Sequence, residues 1–304
     1  MASNNNTISG LDINKLNICY AQCLLDDKSI SNICIQPLDL DIDDYWESVS
    51  AGLDELYKGL KIPGEDVVAS LPGEFAIIKK ILLDNDEPDT ASAIEWELSQ
   101  QIVGSMDEYV YDYQSLTGGG TEEKCRHFLT VGYRNTAIER MSKLLRKKKI
   151  TPLILDLDVF ALINVFELNY KEKLSLPTLI IFSEIAKTKL ILTCNGDFND
   201  LEILEHADGE QSTDEFIQDL NGAIKKLTAC NPALFKSGGL QTYLTGSGFY
   251  KSDFGEVIME NIKNAEMLFP FRKISCSAGM DEDKLKEFAP QLAVSVGLAL
   301  RDID

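Results

Sequence analysis

The first hairpin of the chain carries the residue best suited to chemistry. In the segment ISGLDINKLNICYAQ, a single carboxylate, Asp12, stands at the end of an apolar run and just before a tight turn. A carboxylate in that place can organise Mg²⁺ while backbone amides of the turn contact phosphate. The turn itself must then carry glycine or small hydroxyl residues, because larger side chains keep the anion away from the amides. Here the turn reads Asn-Lys-Leu-Asn over residues 14–17, so the acid of a phosphate site is present and the glycine is absent.

Other residue types that catalyse reactions or bind metals are not arranged for either task. Among the seven cysteines, Cys19 and Cys23 are four residues apart, but no second pair or nearby histidine follows. A zinc site needs four ligands at motif spacing, so we predict reduced thiols and no metal. His127 lies in an alternating segment and His206 in an acidic one, without a Ser or Cys partner at readable spacing. We therefore predict no catalytic residue.

Composition excludes several classes of function. The chain has 304 residues and a net charge of −20, and its length suggests about two domains. So negative a field repels a phosphate backbone, which argues against nucleic-acid binding. The start, MASNNNTIS, lacks a basic stretch and an apolar core, and no run of about 18 apolar residues follows. We expect a cytoplasmic protein without direct membrane insertion.

The elements that must position Asp12 follow from periodicity. The chain opens with β runs and a helix over DDYWESVSAGLDELYKGL, in which apolar residues share one face and Asp44 with Glu47 forms a plausible capping pair. The same order of β runs, then a helix capped by Ser212 and Glu215, recurs from about residue 177. We predict an α/β fold with an internal duplication. Its first half covers residues 1–83 and 151–173, an inserted α/β subdomain covers 84–150, and its second half covers 174–304.

Several segments in this order resemble PilM-type type IV pilus assembly proteins, which belong to the actin-like ATPase superfamily with FtsA and the cytoplasmic domain of GspL. GLDINKLNICYAQ stands where that family has a Gly-Asp-Ile-Gly-Ser strand turn. AIEWELSQQI followed by DEYVYDYQSL, and LDLDVFALINVFELNY, are similar to two further family elements. The ending LAVSVGLALR is close to the family's last helix. The resemblance covers nearly the whole chain.

The resemblance implies a fold, a location and a partner. The fold is the actin-like, ribonuclease H-like one, with two mixed-sheet halves and an inserted subdomain, called 1C, at about residues 84–150. The family resembles scaffolds more than metabolic enzymes. Its members receive the cytoplasmic tail of the inner-membrane protein PilN in a groove beside 1C. The resemblance thus implies a cytoplasmic protein held at the inner membrane through its partner, with a pilus motor ATPase as a second contact.

Actin-like ATPases hold ATP between two phosphate hairpins and an adenosine turn, and this chain departs from that pattern. In the first hairpin Asp12 remains, whereas Asn14 replaces the glycine and Lys15 a hydroxyl residue. In the second, Glu184 stands at a glycine position, where a carboxylate repels phosphate. The adenosine turn survives in part, as Gly246-Ser247-Gly248. We expect a degenerate nucleotide pocket and no cofactor; a divergent site in which Lys15 replaces lost amides, with weak binding of ATP and Mg²⁺, is the alternative.

Aromatic side chains of the predicted insert are candidates for partner binding. They are Trp96, Tyr109, Tyr111 and Tyr113. Tyrosine and tryptophan combine a large contact area with a polar end, which suits peptide recognition. The alternative for each is that it only fills the small core of the insert.

Two other functions remain open for the chain as a whole. One is an active actin-like ATPase whose nucleotide state switches partner binding, and the other is a sugar- or acetate-kinase-like phosphotransferase. The altered hairpins favour the scaffold over both.

Overall fold

A computed structural model describes residues 7–60, 66–116, 125–205, 212–236, 239–250, 254–277 and 280–301. The strands in this part of the chain are β1 (Thr7–Ile13), β2 (Asn17–Leu24), β3 (Ser29–Pro37), β4 (Asp66–Leu71), β5 (Ile77–Asp84), β6 (Tyr109–Leu116), β7 (Cys125–Arg134), β8 (Thr151–Leu157), β9 (Thr178–Ser183), β10 (Lys187–Cys194), β11 (Asp197–Glu205), β12 (Gln241–Thr245) and β13 (Ala265–Met267). The helices are α1 (Tyr45–Leu60), α2 (Thr90–Ser99), α3 (Asn135–Lys147), α4 (Asp158–Asn169), α5 (Thr213–Cys230), α6 (Phe254–Asn261) and α7 (Glu282–Ala299).

Two five-stranded mixed sheets repeat one topology. The first has the order β3-β2-β1-β4-β8 and the second β11-β10-β9-β12-β13. In each, three antiparallel strands form a meander, and the first of them pairs in parallel with a later strand. The central strands β1 and β9 are buried along nearly their whole length, as expected of strands covered on both faces. The predicted duplicated α/β architecture of actin-like type is confirmed.

Local sequence signals set the helix starts in both halves. The side chain of Asp44 accepts a hydrogen bond from the Glu47 amide at 3.0 Å just ahead of α1. Ser212 and Glu215 form a complete capping box at the start of α5. Each cap satisfies amides that the first helical turn leaves without partners.

The chain divides into two compact units, and the smaller covers residues 72–147. It holds the antiparallel sheet β5-β7-β6 with α2 and α3. The predicted insert, 84–150, differs at its start because β5 pairs with β7 over its full length, from Ile77 opposite Gly132 to Asp84 opposite Cys125. Periodicity identifies β5 as a strand, but it carries no information about which sheet the strand joins.

The last helix contacts both sheets of the larger unit, residues 1–71 and 148–304. It packs against β1, β2 and β4 of the first sheet and also against β12 of the second. It begins at Glu282, and Pro290 lies in its interior. Close approach explains two glycines: a Cβ at Gly10 would lie 1.9 Å from the Ser295 carbonyl oxygen, and one at Gly297 2.0 Å from that of Ala161.

The parallel strands position the candidate site. The carboxyl ends of β1 and β4 in the first sheet, and of β9 and β12 in the second, carry Asp12, Ser70, Ser183 and Thr245. In α/β sheets, ligands bind in the crevice outside the carboxyl ends of such strands. Among the described residues, no helix is both long and apolar enough to cross a membrane.

Candidate functional site

Asp12 lies buried at the end of β1, with 5% of its surface exposed. The Ser70 hydroxyl at the end of β4 donates a hydrogen bond to its Oδ1 at 2.6 Å. Burial raises the pKa of Asp12 to about 6, since the charged form loses water; the Ser70 hydrogen bond opposes the rise, and the negative charge of Asp158 adds to it. A carboxyl group in this state is a poor ligand for hydrated Mg²⁺ at acidic pH.

Backbone amides of the turn between β1 and β2 form hydrogen bonds within the turn itself. The side-chain oxygen of Asn14 accepts hydrogen bonds from the Leu16 amide at 3.0 Å and from the Asn17 amide at 2.9 Å. Asparagine commonly closes turns in this way. Two backbone donors that a phosphate could use are therefore occupied by a side chain. Lys15 at the tip of the turn is exposed.

The second hairpin encloses a buried cation that the sequence analysis overlooked. Lys189 of β10 is 1% exposed, and its ammonium bonds to the carboxylate of Asp158 at the start of α4. A carboxylate oxygen of Glu184 lies 3.9 Å from the same nitrogen. The ring of Phe182 lies beneath it, with its centre 5.2 Å away. Glu184, predicted to repel phosphate, therefore has a partner within the protein.

The glycine turn after β12 fits against the second hairpin. Gly246 has φ of +109°, and a Cβ there would lie 2.2 Å from the Ser183 carbonyl oxygen. At Gly248 a Cβ would lie 2.7 Å from the Ser183 hydroxyl. The Gly246 amide donates to the Pro290 carbonyl of α7 at 2.8 Å. Chain packing alone accounts for both glycines, and Ser247 lies between them in the same turn.

An apolar cavity of about 440 Å³ lies beside the first hairpin. Its wall includes Phe288 and Leu285 of α7, Tyr250, and the face of β3 that turns toward them. In its wall the side-chain Nδ2 of Asn17 donates a hydrogen bond to the side-chain oxygen of Gln291 at 3.2 Å. The first hairpin and α7 are thus joined by this bond.

The predicted partner-binding aromatics all belong to the small unit, in differing settings. Trp96 on α2 is 61% exposed. Tyr111 donates to Glu95 at 3.1 Å, and Tyr113 packs edge-on against Phe128. The guanidinium of Arg134 lies 5.3 Å from the centre of the Tyr109 ring. Trp96 is the member of this set with the most surface left for a partner.

Taken together, these residues do not fit the Mg²⁺–nucleotide complex that the fold family implies. The turn amides are bonded to Asn14, and two acidic groups face a lysine of the chain itself. In the part of the chain that the structure describes, no cluster of His, Cys, Asp or Glu side chains could hold a metal ion. Asp12 and Asn14 belong to the first hairpin and Glu184 to the turn of the second, and the glycine turn after β12 packs against Ser183 of that second hairpin. The sequence signal that could have revealed the rest is Lys189, which directly precedes the apolar run Leu-Ile-Leu of β10.

Comparison with known proteins identifies similar families and structures. Residues 15–189, more than half of the chain, match the family model for the type IV pilus assembly protein PilM. A search of curated protein sequences finds no match.

Three solved structures share the fold. The first is described as a PilM–PilN type IV pilus biogenesis complex; the TM-score is 0.79 at 16% identity, over 97% of this chain and 98% of that one. The second is a protein of unknown function with an actin-like ATPase fold from Bacteroides thetaiotaomicron; the TM-score is 0.52 at 10% identity, over 87% of this chain and 91% of that one. The cytoplasmic domain of EpsL, an inner-membrane component of the Vibrio cholerae type II secretion system, gives 0.51 at 9% identity, over 98% and 97%.

Proposed function

Since the chain belongs to the PilM family of type IV pilus assembly proteins, we propose that it is a cytoplasmic scaffold that binds the cytoplasmic tail of a PilN-like membrane protein. Family membership is the observation that carries this proposal. Binding to a membrane protein would place the scaffold at the inner-membrane platform of a pilus or a type II secretion-like machine. From there it would have access to a pilus motor ATPase.

Two structural comparisons support the partner and the location. The similar structure that spans 97% of this chain is a complex of PilM with PilN, so a protein of this fold binds a PilN protein. Another similar structure is the cytoplasmic domain of an inner-membrane secretion component. One of the two structures is a pilus biogenesis complex and the other is part of a secretion system, and we infer a similar setting for this chain.

The candidate site supports a scaffold rather than an enzyme. Phosphoryl transfer relies on positioned phosphates and on charge stabilisation by metal ions and donors. Here Asn14 occupies the turn amides, and Asp158 and Glu184 add negative charge where phosphates would lie. We therefore propose that the protein works without nucleotide hydrolysis and has no cofactor.

We expect Mg²⁺–ATP not to stabilise the protein. A ligand that binds the folded state adds about 2.7 kcal/mol at a concentration 100 times its Kd, so micromolar binding is easily detected. Thermal unfolding with and without millimolar Mg²⁺–ATP should give the same midpoint. A clear rise in that midpoint would favour the active-ATPase alternative over the scaffold.

We expect Trp96→Ala to weaken binding of the PilN-like tail about tenfold or more, without lowering the unfolding midpoint. An exposed tryptophan has little to lose on truncation in the free protein, whereas aromatic anchors at interfaces are worth about 2 kcal/mol or more. Immobilised tail peptide and titrated protein measure the affinity.

The matched control is Leu82→Ala. Leu82 is 59% exposed in β5 of the same unit and is not among the predicted contacts. Equal affinity of the wild type and both variants would remove Trp96 from the interface.

A further inference from the structure

The buried cation of the second hairpin joins the two halves of the larger unit. Lys189 extends from β10 of the second sheet, and Asp158 begins α4, which follows β8 of the first sheet. Both side chains are almost completely buried, at 1% and 6% exposed. Their ion pair therefore crosses from one half to the other in the crevice at the carboxyl ends of the strands.

Three further groups surround this ammonium. Glu184 contributes a second carboxylate at 3.9 Å, and the face of the Phe182 ring lies at 5.2 Å. The positive charge also acts on Asp12, on which it has the opposite influence to Asp158. One cation thus faces carboxylates of α4 and of the second turn, and its charge also acts on the carboxyl group of β1. A buried charge is retained only where such partners compensate for lost water.

Actin-like proteins that bind nucleotide place a metal ion and phosphates between the same hairpins, as the resemblance of the sequence implies. In this chain the donors and charges disagree with that ligand. The amides of the first turn are taken, and the cation in the crevice is supplied by the protein. The carboxylates that would otherwise repel one another across the crevice are held together by Lys189.

We propose that Lys189 is a built-in substitute for the positive charge of the metal ion, an internal cation that clamps the two halves together in the absence of ligand. The inference rests on the part of the proposed function according to which the protein binds no nucleotide. It accounts for a scaffold that presents one fixed surface to its partner.

Lys189→Met tests the clamp, because methionine keeps the length of the side chain and removes the charge. Losing one partner of a buried ion pair leaves the other charge uncompensated. We expect the unfolding midpoint to fall by about 10 °C for a protein of this size. The matched control is Lys187→Met, two residues earlier on the same strand, whose partner Glu205 is 76% exposed. That midpoint should move by no more than about 2 °C.

A double variant, Asp158→Asn with Lys189→Met, separates charge from packing. If the pair acts as a clamp, neutralising Asp158 should recover more than half of the lost midpoint. Amide hydrogen exchange should quicken in Lys189→Met at both the start of α4 and in β10, and slow again in the double variant. Should Lys189→Met fail to fold, a folded double variant supports the clamp and an unfolded one contradicts it.

Two results would overturn the inference. In the first, Lys189→Met is as stable as Lys187→Met. In the second, Mg²⁺–ATP stabilises the wild type but not Lys189→Met, which would make Lys189 a phosphate ligand. Binding of the tail peptide is measured on the same samples. If Lys189→Met is destabilised but the wild type does not bind the tail peptide, the clamp is supported and the proposed function is contradicted.

Discussion

Asp12→Asn should make the protein more stable at pH 7, by about 3 kcal/mol, and leave it nearly unchanged at pH 4. The folded-state pKa of Asp12 is raised to about 6 from 3.8 by burial. The native state therefore holds a proton that the unfolded chain has released between these values. Its contribution to stability is complete below pH 3.8 and is lost as pH rises through 6, because ∂ΔG/∂pH is negative where the native state binds more protons.

Asparagine isolates this effect because its side-chain oxygen can still accept the Ser70 hydrogen bond. Urea unfolding of wild type and variant at several pH values from 4 to 8 gives the difference directly. Asp27→Asn is the control. Hydrogen bonds from Ser29 lower the pKa of Asp27, so its charged form stabilises the protein and this stability is lost only as the pH falls below about 4. The difference in unfolding free energy between wild type and Asp27→Asn should therefore have the opposite sign and stay constant from pH 4 to 8. A wild-type-minus-Asp12→Asn difference that does not vary between pH 4 and 7 would contradict the burial of an Asp12 proton.

Asn169→Ala should cost about 3 kcal/mol of stability. The side chain is fully buried at the end of α4, and it donates to the carbonyls of Val165 and Pro270, both at 2.9 Å. Its oxygen accepts from the Lys273 amide, also at 2.9 Å. Truncation leaves the buried Pro270 carbonyl and the Lys273 amide without their partner, and a buried group that loses its hydrogen bond costs about 1–3 kcal/mol.

The control is Asn261→Ala in α6. Its side chain makes the same bond to a carbonyl four residues earlier, at 2.8 Å, but in an exposed position. We expect a change within about 0.5 kcal/mol there. Urea denaturation of both variants measures the contrast. Similar losses in the two would mean that the segment 270–273 is not held to α4 through Asn169.

Features governed by neighbours in sequence were predictable. Asp44 and the Ser212–Glu215 capping box start helices where the sequence places them, because a cap depends on side chains within one turn. The repeated strand meander followed from alternating apolar runs. Proline is a weaker guide: it favours the first turn of a helix, yet α7 begins eight residues before Pro290, with Asp281 as its cap.

Contacts between distant segments were not predictable from patterns. The sequence predicts that Glu184 repels phosphate. It does not predict that Glu184 and Asp158 both pair with Lys189, because those ion pairs form only where β10 packs against α4. Likewise Gly246 reads as a remnant of an adenosine turn until its contact with the Ser183 carbonyl is seen. The sheet that β5 joins is also decided by tertiary pairing, which a single strand pattern cannot specify.

Calorimetric titration of the wild-type protein with the cytoplasmic tail of the proposed PilN-like partner tests the central claim most directly. The titration is run in EDTA without nucleotide and again with millimolar Mg²⁺–ATP. A scaffold closed by its own Lys189 should bind the tail with the same Kd, within about twofold, in both conditions, because a ligand without differential affinity shifts no equilibrium. Binding that requires Mg²⁺–ATP, or that changes tenfold with it, would contradict the account, as would the absence of tail binding in both.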